Sequence, residues 1–139
     1  MTVYLDTSTV LRVILGQADP LSVWGQWDEA TTSEIMGLEA RRAIDRLRFE
    51  AAIGDDDMGA LQQALARVES TIATISLTRV VLRRAALPMA TPVKTLDAIH
   101  LASAMLFQEH SGRTLLFATH DVRQAIAARA LGFECIGCA

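Results

Sequence analysis

A chain of 139 residues, 51% hydrophobic and 21% charged, has the size and composition of one folded domain, which excludes bulk disorder. Its net charge of −3 argues against a general polyanion-binding surface, and no uncharged apolar run approaches the ~18–20 residues of a membrane span. Met1–Asp6 shows neither the basic region nor the cleavage site of a signal peptide, so a cytoplasmic protein is expected, as one domain over residues 1–139.

In chain order, Val3-Tyr4-Leu5 predicts a short buried strand, followed by a helix from about Ser8 to Leu15 that Gly16 closes. Pro20 opens a second, short helix carrying Trp24 and Trp27. Ala30-Thr31-Thr32 is a weak strand, and Ser33 caps a helix running to about Glu50. Asp55-Asp56-Asp57 reads as an acidic helix start, complementing the helix dipole, with the helix body from Met58 to Ser70. Thr71 to Leu77 is a β-branched strand, and Thr78 caps a helix reaching Leu87. Pro88 and Pro92 mark a loop. Leu96 to Glu109 is helical with apolar residues on every face, which predicts a central helix. Thr114 to Ala118 is a strand, Asp121 caps a helix to Ala130 that Gly132 ends, and Phe133 to Ile136 is a last strand.

Alternating strands and helices predict an α/β fold with a parallel sheet and helices on both faces. Ligands of such sheets sit beyond the carboxyl ends of the strands, so residues just after strands carry the functional interest. Asp6 follows the first strand and could equally cap the next helix. Glu39 lies on or beside the apolar stripe of Met36, Ala40, Ala43 and Leu47. Burying a lone carboxylate is costly, so either a cation offsets it or it reaches water at the stripe's edge. Asp97 stands in the first turn of the most apolar helix, and His100 shares its face. His100 reads either as a ligand or as a hydrogen-bonded core residue. Asp121 follows Thr119-His120 after a strand, and again could be a cap.

Taken together, these four acids can converge at one end of a parallel sheet. An oxygen-only, cysteine-free set suits Mg²⁺ or Mn²⁺, and paired hard cations are a common device for phosphodiester cleavage. The four acids exceed the whole net charge, so the rest of the chain is +1, and two divalent ions would bring the total to +1. Lys94, Arg123 and Arg12 lie near these acids in sequence and are candidates for contacts to substrate phosphates. Cys135 and Cys138 form a C-x-x-C pair without the further ligands a zinc site needs, and read as ordinary thiols.

Tyr4-Leu5-Asp6-Thr7-Ser8, Glu39 in Ser33–Glu39, Leu96–Ala102 around Asp97, and Thr119-His120-Asp121 resemble the acidic motifs of PIN-domain nucleases. Length, motif order and the Ala130-Leu131-Gly132-Phe133 ending are most similar to the ribonuclease toxins of bacterial VapBC toxin–antitoxin modules. The resemblance covers about Thr2 to Ile136. It implies a PIN-like three-layer α/β/α fold with a short, mostly parallel central sheet, and a Mg²⁺- or Mn²⁺-dependent endoribonuclease. Asp6, Glu39, Asp97 and Asp121 would form the metal site, supported by Thr119 and Thr7. It also implies a homodimer and a cognate VapB-type antitoxin. The apolar segment with Val13, Leu21, Val23, Trp24 and Trp27 would suit antitoxin docking or core packing. Rival expectations are an RNA-processing PIN nuclease without antitoxin and a silent binding module on the same fold. A phosphoacceptor receiver would need an acidic pair near the first strand and a Lys after the last, which this chain lacks.

Overall fold

The computed structural model describes residues 1–50 and 52–138. Thr2–Leu5 forms β1, and Val3, Tyr4 and Leu5 are wholly buried, as a strand covered on both faces requires. Glu29–Ser33 (β2) is more polar, yet Thr31, Thr32 and Ser33 are also buried. Two of their hydroxyls are satisfied by backbone: Thr31 donates to the Ala73 carbonyl at 3.0 Å and Thr32 to the Leu5 carbonyl at 2.7 Å. Ala73–Ile75 (β3), Leu115–Ala118 (β4) and Glu134–Ile136 (β5) complete a five-stranded parallel sheet in the order β3-β2-β1-β4-β5.

Side chains alternate across this sheet with period two. On one face Val3, Leu5 and Ala118 meet α1 (Thr7–Ile14), α2 (Ile35–Phe49) and α3 (Asp55–Thr71) in a core that includes Val10, Met36, Ile44 and Leu65. On the other, Tyr4, Leu115 and Phe117 pack on α5 (Thr95–Ser111) and α6 (Val122–Ala130) through Leu101, Ala104 and Ala128. The short α4 (Arg79–Ala85) joins α5 through Val81 against Ile99 and Ala102. The result is the expected three-layer α/β/α arrangement.

Several boundaries differ from the sequence reading. The predicted helix after Pro20 is absent; Trp24 N–H to Leu21 and Gln26 N–H to Val23 close isolated turns instead. Leu21 is buried, and Trp24 and Trp27 pack edge-to-face, with centroids 5.1 Å apart, against the first core. Much of the apolar surface considered for antitoxin docking is therefore used internally. Ser33 belongs to β2 rather than capping α2, although its Oγ still accepts from the Ile35 N–H at 3.2 Å. The strand expected from Thr71 shortens to Ala73–Ile75, because Thr71 turns its hydroxyl back to the Val68 carbonyl and stays in α3. At the start of α5, Lys94 occupies the cap position with no side-chain cap. Thr78 does cap α4, accepting from Val81 N–H.

Candidate active site

Strand order reverses direction around β1 and β4: the chain leaves β1 towards β2, but leaves β4 towards β5. Such a switch point opens a crevice at the carboxyl ends of the two strands. Asp6 leaves β1 there, held by its N–H to the Ala118 carbonyl at 2.9 Å. Thr119, His120 and Asp121 leave β4 on the other side of the crevice.

The capping option holds for Asp6 and Asp121. Asp6 caps α1 by accepting from Ser8 N–H at 3.0 Å, and Asp121 caps α6 by accepting from Arg123 and Gln124 N–H at 2.9 and 3.2 Å. A cap uses one lone-pair direction of a carboxylate that offers about four, so oxygen capacity remains. Thr119 joins the two: its Oγ1 accepts from Asp121 N–H at 3.0 Å and lies 3.4 Å from Asp6 Oδ2. Ser8 adds a further tie, its Oγ accepting from the His120 N–H at 3.1 Å.

Glu39 comes in from α2, and among the described residues no Lys or Arg pairs with it. Thr7 donates to its Oε1 at 2.7 Å and His100 Nε2 lies 2.6 Å away. His100 is fully buried; its Nδ1 stands 2.7 Å from the Tyr4 hydroxyl, and its Nε2 also lies 3.6 Å from Asp6 Oδ1. A chain of polar contacts thus runs from Tyr4 on β1 through His100 on α5 to Glu39 on α2. Burial works against a charge on His100, but the Glu39 contact and the charges of Asp6, Glu39 and Asp97 outweigh it and raise its pKa. His100→Ala should cost about 1–3 kcal/mol in stability, since Tyr4 and Glu39 are left without their partner. Denaturant unfolding of the chelated protein measures this, and an unchanged midpoint would show that the contact contributes nothing.

Asp97 sits in the first turn of α5, half-buried. Its pKa is raised to about 6, first by burial, then by Asp6 and Asp121 and, less, by Glu39, with His100 acting in the opposite direction. The three other acids therefore lie close enough to act on this one. Among the described residues, His100 is the only cationic side chain that ion-pairs with any of the four; the arginines that do pair, Arg41, Arg42, Arg48, Arg84 and Arg113, do so elsewhere.

Among the described residues, no three His, Cys, Asp or Glu side chains form a ready-made metal cage. Mg²⁺ is usually held by only one or two carboxylates and keeps several waters. The donor set fits such an ion in kind: hard oxygens with excess negative charge. Lys94 and Arg123 line a cleft with Asp97 and Asp121, whereas Arg12 lines a separate groove that shares only Asp121 with it. Both cysteines are free thiols: Cys138 Sγ lies 3.3 Å from the Thr119 carbonyl, Cys135 contacts the Ala125 carbonyl, and burial raises both thiols' pKa. Gly137, at φ +99°, packs the C-terminal segment so tightly that a Cβ there would meet the Thr119 carbonyl at 2.4 Å.

The sequence reading left His100 open between two roles and passed over the roles of Tyr4 and Gln124. Gln124 is fully buried, and its Oε1 accepts from Thr119 Oγ1 at 2.7 Å. A wholly buried glutamine in a short helix behind an acidic cap is a signal that exposure alone reveals.

The family model described as PIN domain matches residues 3–130. The chain belongs to the PIN-domain family. The chain is similar in fold to a solved structure, PAE2754 from Pyrobaculum aerophilum, at 21% identity and a TM-score of 0.57, over 97% of this chain and 92% of that one. No curated protein matches. PIN domains are generally metal-dependent nucleases, so the chain has a nuclease-type fold. Among the described residues no helix of this PIN domain is long and apolar enough to cross a membrane.

Proposed function

We propose that this PIN domain is a Mg²⁺- or Mn²⁺-dependent endoribonuclease, and that it acts as a VapC-type toxin restrained by a cognate VapB-type antitoxin. The observation that carries the enzymatic part is the gathering of Asp6, Asp121 and Glu39 around the half-buried Asp97, four acids without a Lys or Arg partner among the described residues. Structural carboxylates are normally paired or solvated; acids left to repel one another in a crevice are a frequent mark of a functional site. The toxin, antitoxin and homodimer parts rest on motif order and length alone.

Asp6 and Asp97 would hold the divalent ion, with Glu39 and Asp121 completing the site. A bound ion supplies a nucleophile at neutral pH and stabilises charge on the transferred phosphate. The chain's own residues do the positioning. Thr119 fixes the Asp121 backbone and stands against Asp6, while Thr7 and His100 hold Glu39 at its Oε1. None of these requires a separate general base.

Asp6→Asn is the cleanest test, because asparagine caps a helix as well as aspartate does. Wild type should cleave single-stranded RNA with Mn²⁺ or Mg²⁺ and stop on EDTA addition, and Asp6→Asn should be inactive at unchanged fold. Equal cleavage by both proteins would end the enzyme reading. For the toxin part, induced expression should arrest bacterial growth, and co-expression of a small protein encoded beside the gene should relieve it. Growth unaffected by active enzyme would favour an RNA-processing role.

A further inference from the structure

We propose that the cleft between the starts of α5 and α6 is a phosphate subsite, which seats a backbone phosphate of the RNA strand next to the carboxylates. This rests on the nuclease reading for its biological meaning, but the geometry stands by itself.

The cleft holds about 310 Å³ and is lined by Lys94, Asp97, Asp121, Arg123 and Gln124, among others. Three features point to an anion. First, α5 begins at Lys94, whose side chain cannot accept a hydrogen bond, so the first N–H groups of this 17-residue helix have no cap. By contrast, α6 spends its N-terminus on Asp121. Second, Lys94 and Arg123 make no ion pair among the described residues and flank the opening from the two helices.

Third, Gln124 forms the fully buried floor, and its Nε2 has no partner among the described residues. Thr119 Oγ1 already accepts from Asp121 N–H, and its single proton goes to the nearer oxygen, Gln124 Oε1 at 2.7 Å rather than Asp6 Oδ2 at 3.4 Å. That leaves the amide NH₂ with nothing to donate to. A buried donor without an acceptor is expensive and rare, and a phosphate oxygen is the acceptor that two neighbouring cations and an uncapped helix would also favour.

Two acids share the cleft, so the anion should bind better once a divalent ion offsets them. The ¹⁵N-labelled chain is titrated with inorganic phosphate, and separately with a phosphorothioate oligoribonucleotide, each with Mg²⁺ and with EDTA. The Gln124 side-chain amide resonances should move with both ligands, most in Mg²⁺. Lys94→Ala combined with Arg123→Ala should weaken both responses about tenfold, and should lower the salt slope of oligonucleotide binding by about 0.7, the value for one lost single-strand phosphate contact. Movement with inorganic phosphate but not with the oligonucleotide would show a small-anion site and overturn the RNA assignment. Gln124 resonances still under both ligands would overturn the subsite altogether. In cleavage assays the double variant should act on KM rather than kcat; a fall in kcat at constant KM also overturns the proposal. If no condition yields cleavage, the nuclease reading fails while the titration still decides the subsite. Both cations are exposed, so these variants keep the fold where a change at buried Gln124 could lose it.

Discussion

Asp97→Asn should reduce RNA cleavage by at least about 100-fold, beyond the 10–100-fold that follows loss of a residue merely supporting a metal ligand. The same substitution should make the chelated protein more stable. The two effects have one origin. Asp97 is held half-buried among Asp6, Asp121 and Glu39, and its pKa is raised to about 6. At neutral pH it is ionised at the expense of the fold. Asparagine keeps the shape and removes the charge, so the repulsion disappears together with the donor oxygen. Allowing for screening by water at this half-exposed group, the gain is about 1–2 kcal/mol. Cleavage assays and thermal melts in EDTA on the same two samples measure both. Cleavage retained with raised stability would mean that Asp97 is a strained structural residue and nothing more.

The second large effect is the response to pH and divalent metal. A carboxyl whose folded pKa lies above its unfolded value binds protons more readily when folded, so its contribution to stability falls as pH rises through about 6. His100 has the same sign. Its folded pKa is raised, so its contribution is complete below the unfolded value of 6.5 and is lost as pH climbs through the folded one. The paired acids Asp28, Asp45 and Glu109 have lowered pKa values, and their contributions fade only at acid pH below this window. The chelated protein should therefore melt at a lower temperature at pH 8 than at pH 5.5. Mg²⁺ at a hundredfold excess over its dissociation constant should add ~2.7 kcal/mol, worth roughly 10 °C in Tm for a domain of this size. The gain should be largest above pH 6, where Asp97 is ionised. A Tm indifferent to Mg²⁺ and Mn²⁺ after chelator stripping would count against any ion at these residues.

Much of this arrangement was legible in the sequence, because it follows from local pattern. Val3-Tyr4-Leu5 and Leu115–Ala118 are apolar runs too short for helices, and carboxylates that follow such strands fall at one end of the sheet. The acidic start of α3 and the Thr78 cap are likewise local chemistry. The Trp24 region misled because Pro20 and amphipathic spacing mimic a helix start, whereas a segment of a few residues gains too little from one turn to hold it against core packing. The long-range ties were illegible. Glu39 could be seen to need a partner, but that this partner is His100, aligned by Tyr4, depends on how α2 and α5 pack on opposite faces of β1. Gln124 looks like an ordinary polar helix residue until its burial is known.

The middle position of β1 has a consequence for synthesis on the ribosome. The first strand made is flanked by β2 and by β4, and Asp6 meets Thr119 across 113 positions of sequence. A nascent chain can pair β1 with β2 early, but the crevice has only one wall until β4 and Thr119 have emerged. Such late, non-local closure slows folding. On the proposed nuclease reading, a chain still being translated has no assembled carboxylate centre and would not cut the messenger that encodes it.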